Sequence, residues 1–484
     1  MAVEFDSEKE LLEYAEKIKG HSFKEYDIHG RIKKNGNKGN LGQVVEEGFF
    51  GYDLNNNQEA DFEKLGVELK VTPYKWVNNG KKVSSKERLV ITNINYNEDY
   101  DKEFEDSHCY EKIKKILMMF YEHEKDKLKY DYIVSNIFMY HFDEMSEEDK
   151  LIIKNDYDTI MTKVRKGEAH LISETDTYYL AASTKGANAK KSMVSQPFSD
   201  IEAKNRAFSL KSSYMTQILR NYVFGENENR ESFIKNLSLL RHKSLDAIIE
   251  DVFKPYVGKD LDEIDGMINR SINKKSKNYL ASYVSAMMNV DEKSLHNLDE
   301  FVKADIKIKT IRINKRNSMD ENMSFPAFKA KELVMEDWET STLREQFLDE
   351  KYLFCIFDEI DKSKKEYRFR GVKLWAMPEE DLETMVREQW LKTKQILLEG
   401  PIFELKQQKY GKIIVKNNLP KQSDRKIVHV RPHTQKSIYD LGDGTVIGNG
   451  NIKIDGDELP DGRIMTKQCF FINREYIIDA IKDV

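Results

Sequence analysis

Apolar positions along the chain change period several times, and each change marks an element. Leu11, Leu12, Tyr14, Ala15 and Ile18 recur at helical spacing within Glu8 to Lys19, which predicts an amphipathic helix. A Gly- and Asn-rich basic loop runs to Asn40, and a second helix is expected from Leu41. Beyond another Asn-rich stretch, Asp61-Phe62 and Val67 to Thr72 read as two short strands about a turn at Gly66, and Arg88 to Asn95 as a third. The patterns then predict helices at Ser107 to Phe120 and Glu147 to Lys166, and strands at Asp131 to Tyr140 and Tyr178 to Ala182. In that reading Met118-Met119-Phe120-Tyr121 is the core face of a helix. Ser232 to Met288 keeps helical periodicity, and a new mixed segment opens near Phe301.

That segment repeats the first half in outline. Val67-Glu68-Leu69-Lys70-Val71 is echoed by Ile306-Lys307-Ile308-Lys309-Thr310, and Glu147-Glu148-Asp149 by Glu379-Glu380-Asp381, each acidic run followed by a glycine, Gly167 and Gly400. Phe208 to Met215 is echoed by Phe470 to Ile477. The shared order points to duplication. Lys307 stands where the first copy has Glu68, reversing the charge a metal needs, so the second copy is expected not to cut. The partition is residues 1–225, a helical connector 226–300, and 301–484, in line with the usual size of domains.

Hydrophobic residues make up 39% and charged residues 33%, with a mean hydropathy of -0.67, as in a well-charged globular protein. No stretch approaches the roughly 18 apolar residues of a membrane span. The acidic N-terminus lacks a signal-peptide pattern, so a cytoplasmic location is expected. Cys109, Cys355 and Cys469 are odd in number and far apart, which suits core thiols rather than a metal knot. The net charge of -6 argues against a uniformly basic surface, yet bases concentrate in Arg31 to Lys38, Lys185 to Lys191, Lys204 to Lys211 and Lys303 to Arg316. Each run fits either a solvated face or a nucleic-acid patch.

Alternation along a strand puts Glu68 and Lys70 on one face, with Val67, Leu69 and Val71 toward the core. One turn joins them to Asp61. Two carboxylates suit Mg2+, with phosphate oxygen and water completing its shell, and Lys70 would orient or deprotonate an attacking water. Glu46 on the preceding helix is a further carboxylate. By spacing alone, Glu68 and Lys70 also fit an exposed, salt-bridged strand face. Glu202-Ala203-Lys204, in a segment expected to be a loop, and Glu404-Leu405-Lys406 repeat the pair without an acid seven residues upstream. His429 and His433 flank Arg431 and are expected at the surface or beside DNA.

The order Lys38-Gly39, Leu41-Gly42, Glu46, Asp61-Phe62, Leu65-Gly66-Val67-Glu68-Leu69-Lys70, Ser107-His108 and Lys112-Ile113-Lys114 resembles the MutH-type endonucleases, and most closely the two-domain restriction enzymes that cut at GATC. Ser85 to Val90, Lys185 to Ala189 and Arg206 to Lys211 carry the likeness further. The resemblance implies an α/β (α+β) architecture of two restriction-endonuclease-like domains, each a mixed sheet flanked by helices, joined by the connector. It implies a Mg2+-dependent nuclease with Glu46, Asp61, Glu68 and Lys70 catalytic and Lys112 beside the scissile phosphate. The family's first reading loop falls at Lys38 and Gly39. Its second carries Arg-Pro, where this chain has Ser183-Thr184-Lys185 in the first half and Arg431-Pro432 in the second; Lys185, Ser209 and Lys211 are further DNA-contact candidates. Double-stranded GATC DNA, self-association on that palindrome and a cognate DNA methyltransferase without direct contact are the implied partners. A GATC nickase of mismatch-repair type and a non-catalytic DNA-binding regulator remain alternatives.

Overall fold

The computed structural model describes residues 3–32, 39–54, 59–78, 80–124, 127–185, 192–226, 228–268, 270–407 and 413–484. The expected reading residue Lys38 lies outside them. Contacts divide the chain into two compact units, 1–249 with 296–306, and 250–295 with 307–484. The expected connector is thus shared between the units. Its C-terminal end is held by the first, where buried Glu300 accepts hydrogen bonds from the backbone of Phe233 and Ile234. Among its described residues the connector contributes helices Leu245–Phe253, Leu261–Asp265 and Tyr279–Met287.

In the first unit, α1 spans Glu8–Ala15 and α2 Asn40–Val44, followed by strands β1 (Glu68–Val77), β2 (Lys82–Ser85) and β3 (Leu89–Asn93). Next come α3 (His108–Ile113), β4 (Lys115–Glu122), β5 (Val134–His141) and α4 (Glu147–Arg165). The unit continues with β6 (Leu180–Thr184), β7 (Met193–Gln196), β8 (Ser199–Lys204), β9 (Arg206–Leu210) and α5 (Ser212–Ile218). The main sheet has the order β2-β1-β4-β5, with β1 and β4 parallel; β3-β9-β6 forms a second sheet.

The expected helix from Ser107 to Phe120 is therefore a correction. It stops at Ile113, and Lys115–Glu122 is the central strand β4. Ile116 to Phe120 are all completely buried. A strand covered on both faces has an unbroken apolar run, which periodicity cannot tell from a buried helix. Burying Met118, Met119 and Phe120 contributes about 1.5–3 kcal/mol each. Glu202 to Lys204, expected as a loop, lies on β8.

The second unit contains β10 (Ile306–Ile313), β11 (Met323–Ala327), α6 (Thr342–Asp349), β12 (Lys351–Asp361) and β13 (Glu366–Trp375). Later come α7 (Arg387–Glu399), β14 (Val428–Pro432), β15 (Gln468–Ile472) and α8 (Arg474–Ala480). Sheets β10-β12-β13 and β11-β15-β14 reproduce the strand orders β1-β4-β5 and β3-β9-β6. The registers agree as well. Leu180 to Thr184 pair with Leu210 back to Arg206 as Val428 to Pro432 pair with Ile472 back to Gln468. Ser183-Thr184 and Arg431-Pro432 thus hold equivalent places, as the family resemblance implies. Cys109, Cys355 and Cys469 are buried free thiols.

Candidate active site

The site grows from one turn and two parallel strands. Phe62 bridges to Val67 across a tight turn at Glu63–Leu65 that ends at Gly66, whose φ of 62° favours glycine. This returns the chain so that Leu69 donates its backbone N–H to Asp61 Oδ2 at 2.8 Å. Asp61 is thereby latched beside Glu68 and Lys70. Because β1 and β4 run parallel with Glu68 opposite Ile116, α3, which ends just before β4, delivers Lys112 to Glu68.

Both oxygens of Glu68 are occupied: Lys70 Nζ lies 2.8 Å from Oε1 and Lys112 Nζ 2.7 Å from Oε2. Lys112 also donates to the Glu59 carbonyl at 2.5 Å. Glu68 is 6% exposed and Lys112 7%, which removes the exposed salt-bridge reading, since a pair at this depth must be desolvated. Glu46 sits on a wide helical turn, Val45–Phe49, that extends α2 and is closed by Phe50 N–H to the Val45 carbonyl at 3.0 Å. Such wide turns recur at functional sites. Gly48 makes this one possible, because an added Cβ would stand 1.8 Å from the Tyr26 carbonyl oxygen.

The carboxylates feel one another strongly. Burial, then the charge of Asp61, pushes Glu46 up to about 7. Burial and Glu68 raise Asp61 despite the Leu69 N–H. Burial also opposes ionisation of Glu68, but Lys70 and Lys112 outweigh it and hold its carboxyl below the ordinary value. Glu46 and Asp61 thus hold a proton more readily than free carboxyls, while the two lysines are hydrogen-bonded to Glu68.

A cleft of about 1100 Å³ opens over these groups, lined among others by Gly39, Glu46, Asp61, Glu68, Lys70, Lys112 and Lys185. Among the described residues no three His, Cys, Asp or Glu side chains gather closely enough to hold a metal unaided. Asp61 and Glu46 nevertheless supply oxygen donors, which fit a hard cation whose shell is completed by substrate phosphate and water.

The other expected DNA contacts fall differently. Thr184 and Lys185 are half-buried at the cleft end of β6, and Gly39 is exposed on its rim. Ser183 and Ser209 are buried and hydrogen-bonded to each other at 3.0 Å. Lys211 is 1% exposed and donates to the Thr177 carbonyl at 2.8 Å, so it serves the interior. In the second unit Arg431 and Pro432 are exposed, with the Arg431 guanidinium 5.3 Å from the Phe471 ring centroid. His429, expected at the surface or beside DNA, is completely buried and stacked on Phe471, with neither ring nitrogen hydrogen-bonded. Missed from the sequence is a row of exposed amides along the cleft, Asn93, Asn95 and Asn97, alternating with buried Ile94 and Tyr96. That period-two pattern was a signal in plain view.

The fold and the carboxylate-lysine cleft define a DNA nuclease of the MutH class: the family model described as "DNA mismatch repair enzyme MutH" matches residues 50–156. The chain belongs to the family of the type II restriction enzyme Sau3AI of Staphylococcus aureus, with which it is 37% identical over 477 residues, 95% of each chain. The DNA mismatch repair protein MutH of Vibrio campbellii is 27% identical over 239 residues, 47% of this chain and 100% of that protein. MutH of Pasteurella multocida is 24% identical over 225 residues, 45% of this chain and 97% of its own.

Proposed function

We propose that the protein is a Mg2+-dependent type II restriction endonuclease that hydrolyses double-stranded DNA at GATC, with a second half that binds DNA as an effector module without cutting. The convergence of Asp61, Glu68 and Lys70 on one cleft, with Lys112 anchored on Glu68, carries this reading. Asp61 and Glu46 would hold the cation, with Glu68 beside them. When bound, Mg2+ would polarise the phosphoryl group and offset charge on the leaving oxygen. Lys70, as a cation, is poised to orient the attacking water and to offset the charge that develops as the water oxygen bonds to phosphorus and the phosphorus–oxygen ester bond breaks, the water's proton leaving to solvent. Lys112 keeps Glu68 ionised and fixed. Gly39, the asparagine row and Lys185 present the donors and acceptors that base edges and phosphates need.

GATC comes from the family likeness, and the palindrome favours two chains acting together. A cytoplasmic enzyme paired with a separate methyltransferase fits this role. A mismatch-repair nickase is the second reading, favoured by the MutH relatives; against it, the likeness to Sau3AI runs through both halves while the MutH proteins match under half of the chain. A non-catalytic regulator leaves the crowded carboxylates unexplained. Plasmid incubated with the protein and Mg2+, followed by sequencing of the ends, tests the proposal. GATC ends from the wild type and none from Asp61→Ala support it; equal cutting by both overturns the site, and nicks confined to one strand favour the nickase.

A further inference from the structure

Strand β6 carries Lys185 to the cleft, and both of its ends are held by buried carboxylates. At its start, Asp156 on α4 accepts the backbone N–H groups of Tyr178, Tyr179 and Leu180 at 2.9, 2.6 and 2.9 Å. At its end stands Glu174, 3% exposed. One Glu174 oxygen accepts the Thr184 N–H at 2.8 Å, and the other pairs with the Arg88 guanidinium. Arg206, 1% exposed, lies behind and donates to the Ala182 carbonyl at 2.8 Å and to the Thr184 hydroxyl at 3.3 Å. The next residue, Lys185, donates its backbone N–H to the Asn205 carbonyl at 2.9 Å, beside Arg206 on the neighbouring strand. Lys185 itself lines the cleft with Asp61, Glu68 and Lys70.

A buried carboxylate held between a buried and a half-buried guanidinium is an expensive way to hold a strand end, because apolar packing stabilises such a site as well or better. What the charged arrangement adds is direction. A carboxylate bonding one particular N–H, backed by planar guanidinium forks, fixes where the chain turns out of the sheet. We propose that Glu174, with Arg88 and Arg206, is a positioning unit for DNA recognition that sets the exit of β6 so that Lys185 meets the DNA backbone or a base edge in the cleft. The inference rests on the reading of that cleft as the DNA site.

The test uses the full-length protein, Mg2+ and a duplex oligonucleotide carrying one GATC. Glu174→Gln keeps an acceptor for Thr184 but removes the charge facing the two guanidiniums. It should raise KM about tenfold while kcat falls no more than about twofold, and Lys185→Ala should do the same. The double variant should be no worse than the poorer single one, because both act through one contact. A merely structural Glu174 would instead lower the active fraction, leave KM alone and add to Lys185→Ala; that result overturns the proposal. If circular dichroism shows Glu174→Gln unfolded, Arg206→Lys combined with Lys185→Ala decides by the same criterion. Asp61→Ala runs in parallel: cutting abolished there while the Glu174 and Lys185 variants keep a normal KM defeats the positioning role and leaves the nuclease reading standing. Undiminished cutting by Asp61→Ala defeats that reading itself.

Discussion

Glu68 on β1 and Lys307 on β10 are matched by the sequence echo in two units whose strand orders agree, yet their surroundings are opposite. Glu68 is buried, held between Lys70 and Lys112, and faces Asp61 across a latched turn. Lys307 and Lys309 are exposed, with Lys307 3.9 Å from Glu350. What both units keep is the frame. Tyr214 donates its hydroxyl to Asp149 at 3.2 Å, and Tyr476 does the same to Asp381. In each unit an acidic helix, which begins at Glu147 in the first and spans Glu379–Asp381 in the second, is thus tied to the helix that follows the last strand of the second sheet. The acidic and Phe-to-Tyr echoes in the sequence are the two ends of this hydrogen bond. The two units share a scaffold, while the strand that carries Glu68 in the first carries Lys307 in the second.

The contrast can be broken most forcefully at the carboxylate. Glu68→Gln should lower single-turnover cleavage by about 10³-fold, a loss typical of a charged group aimed at a reaction centre, whereas Lys307→Gln should change that rate by less than about twofold. Equal losses from both would make the second half part of the cutting machinery.

Acid should separate the halves next. Burial, then Arg431, pulls His429 down to about 4, so between that value and an unfolded value of about 6.5 only the unfolded chain takes the proton. The second unit should therefore lose up to about 3 kcal/mol as pH falls from 6.5 to 4. In the first unit Glu174, held at about 2 chiefly by Arg88 against its burial, gives up its contribution only below the ordinary carboxyl value. Urea unfolding followed by fluorescence reads this, because Trp338, Trp375 and Trp390 lie in the second unit and only Trp76 in the first. His429→Phe should flatten the slope between those pH values; an unchanged slope assigns it to other groups.

The shared frame predicts smaller, matched effects. Tyr214→Phe and Tyr476→Phe should each cost about 2 kcal/mol, as for a buried hydrogen bond to a carboxylate, seen in denaturant midpoints. A large loss from one and none from the other would mean that the frames are not equivalent. Smallest, Arg431→Ala should weaken DNA binding by a cleavage-dead Asp61→Ala protein about tenfold, a typical cost for one arginine contact. No change in a titration at fixed salt would remove Arg431 from the DNA-binding surface.

Local pattern determined much of this protein. Alternation placed Glu68 and Lys70 on one face, Gly66 marked the turn behind Asp61, and the ordered echoes announced a second copy of the fold. The helix at Glu147 was legible because a half-buried element keeps its period. Only the tertiary structure decided the rest. The run around Met118 became the central strand because both of its faces are covered, which erases periodicity. Lys204 to Lys211 looked like one basic patch, yet Arg206 and Lys211 are buried, since their charges meet partners from distant segments. Glu68 owes its ionised state to Lys112 as well as to neighbouring Lys70, and the exit of β6 depends on Glu174 and Arg88. Those contacts join residues 44 and 86 positions apart, separations at which sequence carries residue identity but no geometry.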